Sequence, residues 1–170
     1  MPPTRRALAP AMLPWLGIAL VVALFDQAVK YLVELELRPG ESRPVSGFFN
    51  LVLAYNRGAA FSFLSEASGW QRYAFIVIAL GAIGLILRLL ARHASERLFA
   101  LSLSLILGGA TGNLWDRATL GHVVDFLDFH AGGYHWPAFN VADSAITVGA
   151  ALLIWDAFRN QHGGRNVGSG

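Results

Sequence analysis

Long uncharged stretches alternate with short polar segments along this chain. Four of the apolar segments are each long enough to form a helix across a hydrocarbon core about 30 Å thick, which takes about 20 residues. They predict membrane spans at about 12–33, 70–89, 97–115 and 137–158. An even number of spans places both ends of the chain on the same side of the membrane.

The first span follows Arg5-Arg6, so a cleaved secretory signal is an alternative interpretation of the N-terminus, because such signals begin with basic residues followed by an apolar run. The Ala-x-Ala sequence from Ala9 to Ala11 precedes the apolar run. In a secretory signal the cleavage site follows that run. We therefore predict a retained first span.

The composition of the 170 residues agrees with membrane residence. Only 14% are charged, 55% are hydrophobic and the mean hydropathy is +0.48, whereas a soluble domain has about 25% charged residues. The net charge of +2 comes without a long basic run, so the sequence predicts no nucleic-acid partner. The absence of cysteine excludes disulfides, thiolate metal sites and cysteine nucleophiles.

The distribution of basic residues predicts the orientation. Three short segments, 1–6, 88–97 and 157–170, hold seven of the thirteen lysines and arginines. Basic residues near span ends favour the cytoplasmic side. We therefore predict cytoplasmic termini and two extracytoplasmic segments, the longer before the second span and the shorter before the fourth.

The longer extracytoplasmic segment contains two β-prone aromatic runs, 48–55 and 59–64, around Asn56-Arg57-Gly58. This arrangement predicts a β-hairpin at about 45–65 that lies on the membrane surface. The shorter segment, Arg117 to Trp136, is interrupted by glycines. The predicted fold is a membrane all-α bundle of four transmembrane helices with a small extracytoplasmic β-sheet. It forms one domain, 1–160, followed by a disordered tail, 161–170.

Polar side chains gather at those ends of three spans that lie at the outer face in this topology. They are Asp26, Gln27 and Lys30 in the first span, Asn113, Asp116 and Arg117 in the third, and Asn140 and Asp143 in the fourth. Ionisable groups in a membrane are costly and usually have a function. A common site at the outer face is therefore predicted.

Simpler interpretations remain open for several polar residues. Asp26 and Lys30 have the i, i+4 spacing of a helix-end ion pair. Asp116-Arg117 can simply end a helix, and Asn56 is a common turn residue. These roles would involve no chemistry.

Other residues are assigned to structure. Asp128 and Asp156 are interpreted as ordinary charges at the membrane interface. The Gly108-x-x-x-Gly112 motif is interpreted as a small-residue contact between helices.

Two carboxylates, Asp125 and Asp143, stand out because apolar residues flank them. Capping of a helix N-terminus is an alternative role for Asp143, since the helix dipole favours a carboxylate there. Two carboxyl groups within hydrogen-bond reach do not ionise together, so one holds a proton while the other acts as a base. Such a pair can activate water to hydrolyse a peptide bond. Only the fold can bring these two residues together.

Competing chemistries lack their motifs. The sequence has no His-Glu-x-x-His motif, and His122, His130 and His135 have no regular ligand spacing, so we predict no metal and no cofactor. No Gly-x-Ser-x-Gly nucleophile elbow is present. The alternative function is a non-catalytic channel or transporter subunit. Transporters usually have charges at mid-depth and repeat symmetry, and neither is found.

Four ordered motifs resemble those of the bacterial lipoprotein signal peptidases, also called signal peptidase II. They are Asp26-Gln27-x-x-Lys30, Tyr55-Asn56-x-Gly58-Ala59-Ala60-Phe61-Ser62, Gly112-Asn113-x-x-Asp116-Arg117-x-x-x-Gly121-x-Val123-Val124-Asp125-Phe126 and Phe139-Asn140-x-Ala142-Asp143-Ser144. The match extends over about residues 15–158. The loop at 38–44 and the tail after 158 carry no matching pattern.

The resemblance implies an aspartyl protease of the bacterial inner membrane that cleaves a prolipoprotein before its diacylglyceryl-modified cysteine. It implies Asp125 and Asp143 as the catalytic dyad. The residues it implies as binding substrate or orienting the site are Asn56, Gly58, Asn113, Arg117 and Asn140, with Asp26 and Lys30 as structural support. We expect a monomer that contacts prolipoproteins and membrane lipid, with its active site at the periplasmic face.

Overall fold

The structure, a computed structural model, describes residues 8–58 and 70–163. Within these ranges, the helices are α1 (Leu8–Glu36), α2 (Trp70–His93), α3 (Arg97–Thr119) and α4 (Val141–Gly163). The strands are β1 (Ser42–Ser46), β2 (Phe49–Asn56), β3 (Val123–Ala131) and β4 (Tyr134–His135). The predicted fold class, four long apolar helices with a small antiparallel sheet, is confirmed.

All four helices are long and apolar enough to cross a membrane, over Ala11–Glu36, Trp70–His93, Arg97–Thr119 and Val141–Asn160. The first three extend a few residues beyond the predicted C-terminal ends of their spans. The fourth begins at Val141 rather than at 137, because Asn140 caps its N-terminus with a hydrogen bond to the N–H of Asp143. Asp143 therefore lies in the first turn of α4. Most of the predicted disordered tail, residues 164–170, lies outside the described residues.

Small residues let α3 pack closely against its neighbours, and α3 is the most buried of the four spans. Gly108 lies against Ala19 and Val22 of α1, as expected for a helix-contact motif. Gly109 lies against the backbone of Ala142 in α4. Close approach of helices at such residues is a common way of packing in membranes. It places the C-terminal end of α3 beside the start of α4.

We expect Gly109→Ala to destabilise the protein, because its new methyl group would meet the carbonyl oxygen of Ala142. Overpacking of this kind costs about 1 to 3 kcal/mol. Thermal unfolding in detergent measures the effect. Gly84→Ala in α2 is the matched control, since a methyl group there has open space around it. Equal melting temperatures for the two variants would show that the α3–α4 contact tolerates a larger residue.

The four strands form one antiparallel sheet in the order β1-β2-β3-β4. β2 has β1 on one side and β3 on the other, so the hairpin between α1 and α2 is β1–β2, with its turn before Phe49 instead of at Asn56. The predicted second run, 59–64, lies outside the described residues. Asn56 ends β2 and is paired with Val123 of β3.

β3 is a strand within a segment that the sequence marks only by its glycine interruptions. Its C-terminal end forms a short hairpin with β4 across Gly132-Gly133, but its long pairing is with β2, which is distant in sequence and leaves no local signal. The β2–β3 register shifts between Leu51 and Ala54, directly beside the pair formed by Ala54 and Asp125. Such irregularities often re-aim side chains next to functional sites. The buried face of β3 packs Val124 and Phe126 against the end of α1.

Candidate active site

Asp125 lies on β3 and is almost completely buried, with 2% of its surface exposed. Its Oδ1 accepts a hydrogen bond from Nδ2 of Asn140 at 2.7 Å, and its Oδ2 accepts one from Nδ2 of Asn56 at 2.9 Å. Both carboxylate oxygens are therefore held by amide donors, one from the end of β2 and one from the cap of α4.

Asp143 is half-buried in the first turn of α4. Its backbone N–H donates to Oδ1 of Asn140 at 2.9 Å, and its own Oδ2 accepts from the N–H of Asn140 at 3.3 Å. This reciprocal pair is a capping box. The capping role left open for Asp143 is thus present, but it uses only one carboxylate oxygen. The other, Oδ1, accepts from Nδ2 of Asn113 at 2.7 Å.

Asn140 connects the two carboxylates. Its side-chain Nδ2 donates to Asp125, while its backbone N–H and its Oδ1 both bond to Asp143. Asn113 closes the network, because its Oδ1 accepts from Nδ2 of Asn140 at 3.2 Å and its Nδ2 donates to Asp143. The fold therefore joins Asp125 of the sheet to Asp143 of α4 through Asn140, and Asn113 links Asn140 to Asp143 a second time.

The pKa values of the two aspartates of β3, Asp125 and Asp128, are shifted in opposite directions. Burial raises the pKa of Asp125 to about 6, and the negative charge of Asp143 acts in the same direction. Burial also opposes ionisation of Asp128, but a hydrogen bond from Asn50 and the contact with His135 outweigh it and lower the pKa of Asp128. Asp125 is therefore suited to hold a proton near neutral pH, whereas Asp128 stays ionised.

Arg117 adds positive charge to the site. Its charge interacts with those of Asp143 and Asp125, and its Nη1 donates to the backbone carbonyl of Asn113 at 3.4 Å. Its guanidinium lies over the ring of Phe75, 5.1 Å from the centroid. Arg117 therefore acts on the carboxylates from the C-terminal end of α3.

Gly58 orients Asn56. The backbone N–H of Gly58 donates to Oδ1 of Asn56 at 2.8 Å, which leaves Nδ2 of Asn56 directed at Asp125. Gly58 has a φ of 110°, a conformation that side chains rarely adopt. The turn role proposed for Asn56 and its contact with the carboxylate thus coexist.

A buried ion cluster, formed by Asp26, Lys30 and Asp116, lies next to Asn113 of the site. Nζ of Lys30 lies 2.6 Å from Oδ2 of Asp26 and 2.7 Å from Oδ2 of Asp116. No more than 2% of each of these residues is exposed. Gln27 donates to Oδ1 of Asp116 at 2.7 Å. The Asp26–Lys30 ion pair of α1 therefore lies in the protein interior, where Lys30 also contacts Asp116 of α3.

The ion cluster also reaches the chain on either side of the site. Oδ1 of Asp26 accepts from the N–H of Ala142 at 2.8 Å, and Oδ2 of Asp116 accepts from the N–H of Val124 at 3.2 Å. Each of these N–H groups belongs to the residue before one of the two site aspartates. Nζ of Lys30 further donates to Oδ1 of Asn113 at 3.0 Å. The cluster therefore sets the separation of the backbone segments that carry Asp125 and Asp143.

Asp143 opens onto a cavity of about 480 Å³, a size typical of ligand pockets. Its lining residues are Trp136, Phe139, Asp143, Ser144, Thr147 and Val148. Most of them are apolar or carry a hydroxyl, so the carboxylate lies at the edge of an apolar groove along α4.

Asp128 and Asp156 are held by other partners and do not join the site network. Asp128 accepts from Nδ2 of Asn50 at 2.7 Å, and Asp156 lies 3.4 Å from Nη2 of Arg159. Both side chains are largely buried, and their position at the membrane interface stays a prediction. Across residues 8–58 and 70–163, no group of three or more His, Asp or Glu side chains could hold a metal ion.

Sequence reasoning missed two kinds of contributor. Asp116 was open to interpretation as a simple helix end, although its i, i+3 spacing from Asn113 already puts both on one helix face. Arg72 is, in the sequence, only a charge that flanks the second span, and Phe75 is one apolar residue among many. No pattern within α2 distinguishes these two.

Three comparisons with known proteins give consistent matches. A family model described as signal peptidase (SPase) II matches residues 18–159. Proteins named lipoprotein signal peptidase from Burkholderia vietnamiensis and Burkholderia multivorans are 60% and 59% identical over 155 residues, which cover 91% of this chain and 93% of theirs. A solved bacterial membrane enzyme is similar with a TM-score of 0.77 at 32% identity, over 87% of this chain and 89% of that one.

Proposed function

This chain belongs to the signal peptidase II family, and on that premise we propose that it is an aspartic endopeptidase that removes the signal peptide from bacterial prolipoproteins. Cleavage occurs before the diacylglyceryl-modified cysteine. Asp125 and Asp143 form the catalytic dyad. Family membership displaces the alternative of a channel or transporter subunit.

The network through Asn140 is the observation that carries this proposal. Asn140 bonds to both carboxylates: its Nδ2 donates to Oδ1 of Asp125 at 2.7 Å, and its backbone N–H donates to Oδ2 of Asp143 at 3.3 Å. A pair held in this way cannot separate without breaking the cap of α4. Preorganised groups of this kind lower a barrier because they need not be ordered during the reaction.

The dyad hydrolyses the peptide bond without a covalent intermediate. The ionised carboxylate takes a proton from water, and the resulting hydroxide equivalent attacks the scissile carbonyl to form a gem-diol. The protonated carboxyl donates a hydrogen bond to the carbonyl oxygen. It transfers its proton to that oxygen as the gem-diol forms. The carboxyl that took a proton from water then gives that proton to the leaving amine as the C–N bond breaks, and the gem-diol returns a proton to the other carboxylate. The raised pKa of Asp125, about 6, supports a pair that retains one proton near neutral pH.

Asn56, Asn113 and Asn140 orient the dyad, and Arg117 supplies positive charge near it. Gly58 supports Asn56, while Asp26 and Lys30 act as structural support through the ion cluster. The groove beside Asp143 takes an apolar part of the substrate, because its lining is mainly apolar and the substrate is a membrane-anchored peptide.

The chain is a multi-pass bacterial membrane protein. Both termini lie in the cytoplasm and the active site lies at the periplasmic face. The density of basic residues in segments 1–6, 88–97 and 157–170 supports this orientation. The protein acts as a monomer with its sheet in contact with lipid.

The proposal is tested by the pH dependence of cleavage of a diacylglyceryl-modified prolipoprotein. We expect kcat/KM to fall as the pH rises through about 6, because the dyad then loses its proton. In Asn56→Ala, a donor that stabilises ionised Asp125 is removed, so the pKa of Asp125 rises and the decline moves to higher pH by about one unit. The charges of Asp143 and Lys30 remain in place in this variant.

Asn50→Ala is the matched control for Asn56→Ala. Asn50 lies on the same strand and makes the same kind of hydrogen bond, but to Asp128. Its pH profile should coincide with that of the parent enzyme. A decline at the same pH in all three proteins would mean that Asp125 does not set the profile.

A further inference from the structure

Two side chains of α2 contact Arg117, one at its backbone and one at its guanidinium. Nε of Arg72 donates to the backbone carbonyl of Arg117 at 2.8 Å, and Nη2 of Arg72 donates to the carbonyl of Ala118 at 2.7 Å. The ring of Phe75 lies under the guanidinium of Arg117, 5.1 Å from its centre. Arg72 and Phe75 are three residues apart, so they share one face of α2.

We propose that Arg72 and Phe75 are positioning residues that hold Arg117 near the two site aspartates without allowing it to pair directly with either. Arg72 holds the backbone and Phe75 holds the guanidinium. This inference rests on the proposed function of the dyad. It assigns a role in catalysis to α2, which carries none of the residues that the motifs single out.

Phe75 is suited to this role by its chemistry. An arginine close to a carboxylate tends to form a bidentate pair, which would occupy the oxygens that must contact water. An aromatic face attracts the flat side of a guanidinium and competes with that pairing. Phe75 therefore keeps the positive charge in the site while leaving both carboxylates to their asparagine donors.

Phe75 also contacts Gly58, the residue that supports Asn56. A Cβ atom added to Gly58 would lie 2.8 Å from Cε2 of Phe75, so the ring packs directly on this glycine. Gly58 in turn holds Asn56, the donor to Asp125. The ring thus lies between the guanidinium of Arg117 and the glycine that supports Asn56.

Arg72 completes the arrangement at the end of α3. The last carbonyls of a helix carry partial negative charge and lack intrahelical donors, so an arginine there stabilises the helix end. Arg72 also packs against Gly121, whose φ of 80° begins the turn into β3. The start of α2 therefore fixes where α3 ends and where the strand carrying Asp125 begins.

The charged groups around Arg117 determine where its guanidinium moves when Phe75 no longer holds it. They are Asp143 of α4, Asp125 of β3, Asp116 of α3 and Arg72 of α2, with Lys30 of α1 acting on Asp125. The negative groups outnumber the positive ones on the side of the dyad. A released guanidinium therefore moves towards a carboxylate and stabilises its ionised form.

The test compares Phe75→Leu with Phe75→Tyr in the full-length protein, using cleavage of a diacylglyceryl-modified prolipoprotein. Leucine keeps an apolar side chain but has no aromatic face, whereas tyrosine keeps the face. We expect Phe75→Leu to lower kcat about tenfold with little change in KM and to move the decline of activity to lower pH. Phe75→Tyr should retain the kcat and the pH profile of the parent.

A double-mutant cycle separates positioning from general packing. In an Arg117→Gln background, Phe75→Leu should have almost no further effect on kcat, because the residue it positions is gone. Arg72→Met should behave like Phe75→Leu, with lower kcat and the same direction of pH shift. Effects of Phe75→Leu that are equal in both backgrounds would overturn the proposal, as would equal losses in the leucine and tyrosine variants.

The outcome is distinguishable from failure of the proposed function. If the parent protein does not cleave the lipidated substrate, or if Asp125→Asn cleaves it normally, the proposed function fails. If the parent is active, Asp125→Asn is inactive and Phe75→Leu matches the parent in kcat and pH profile, only the role of α2 is refuted.

Discussion

Asp125→Asn and Asp143→Asn are each expected to lower the rate of prolipoprotein cleavage by about 10³-fold or more, since general acid–base groups contribute up to about 10⁴-fold. Asparagine keeps the size and one acceptor oxygen of aspartate but can neither ionise nor hold the exchangeable proton. In Asp143→Asn the acceptor still serves the capping box with Asn140, so α4 should keep its first turn. Each variant loses one of the two hydrogen bonds to its carboxylate, so its melting temperature should fall modestly while the purified protein stays folded. A loss of rate of this size therefore reports chemistry.

Asp128→Asn and Asp156→Asn are the matched controls. Asp128 is a buried aspartate on the same strand as Asp125, and Asp156 is a buried aspartate on the same helix as Asp143. Both variants should retain cleavage within a few fold of the parent. Full activity in either dyad variant, or complete loss in both controls, would show that the carboxylates have been sorted wrongly.

Lys30→Met is expected to give the largest loss of stability. Lys30 lies between the carboxylates of Asp26 and Asp116 in the buried ion cluster, and its removal leaves two negative groups together in the protein interior. Breaking a buried ion pair from one side costs about 3–5 kcal/mol. We expect a large drop in the melting temperature in detergent and little active enzyme. Methionine fills a similar volume, so the missing charge is the main change.

Arg159→Met is the control for Lys30→Met, because it removes a cation from an ion pair whose arginine is largely exposed. Its melting temperature should stay close to that of the parent, since such pairs contribute little to stability. If Lys30→Met and Arg159→Met unfold at the same temperature, the ion cluster does not hold the helices together. Asp26 and Asp116 would then stay buried without Lys30 at no cost in stability.

The helices were predictable because their signal is local. An uncharged stretch of about 20 residues needs no partner to be recognised, and all four such stretches form helices. The predicted start of α4 is too early because Pro137 to Phe139 extend the apolar run. The helix itself begins only after its N-terminal cap at Asn140. Hydrophobicity locates a span, but hydrogen bonds at its end determine its first residue.

Contacts between distant elements were not predictable from residue patterns. β3 depends on β2, and Asp116 enters an ion cluster only because α1 packs on α3. The family motifs pointed to Asn56, Asn113 and Asn140, yet no pattern showed which atoms they would hold. The spacing of Asp125 and Asp143 says nothing about their proximity. Their proximity is seen only in the structure, where Asn140 forms hydrogen bonds with both residues.

The hydrogen bond from the N–H of Ala142 to Asp26 joins positions 116 residues apart, in the first and the last helix. Because a ribosome makes α1 before α4, Asp26 lacks the N–H of Ala142 as a hydrogen-bond donor until α4 has been made. Ala142 lies beside Asp143, which means that one step, the docking of α4, both satisfies Asp26 and brings in the second aspartate. On the proposed assignment of the dyad, the pair of aspartates is therefore complete only after α4 has docked on α1.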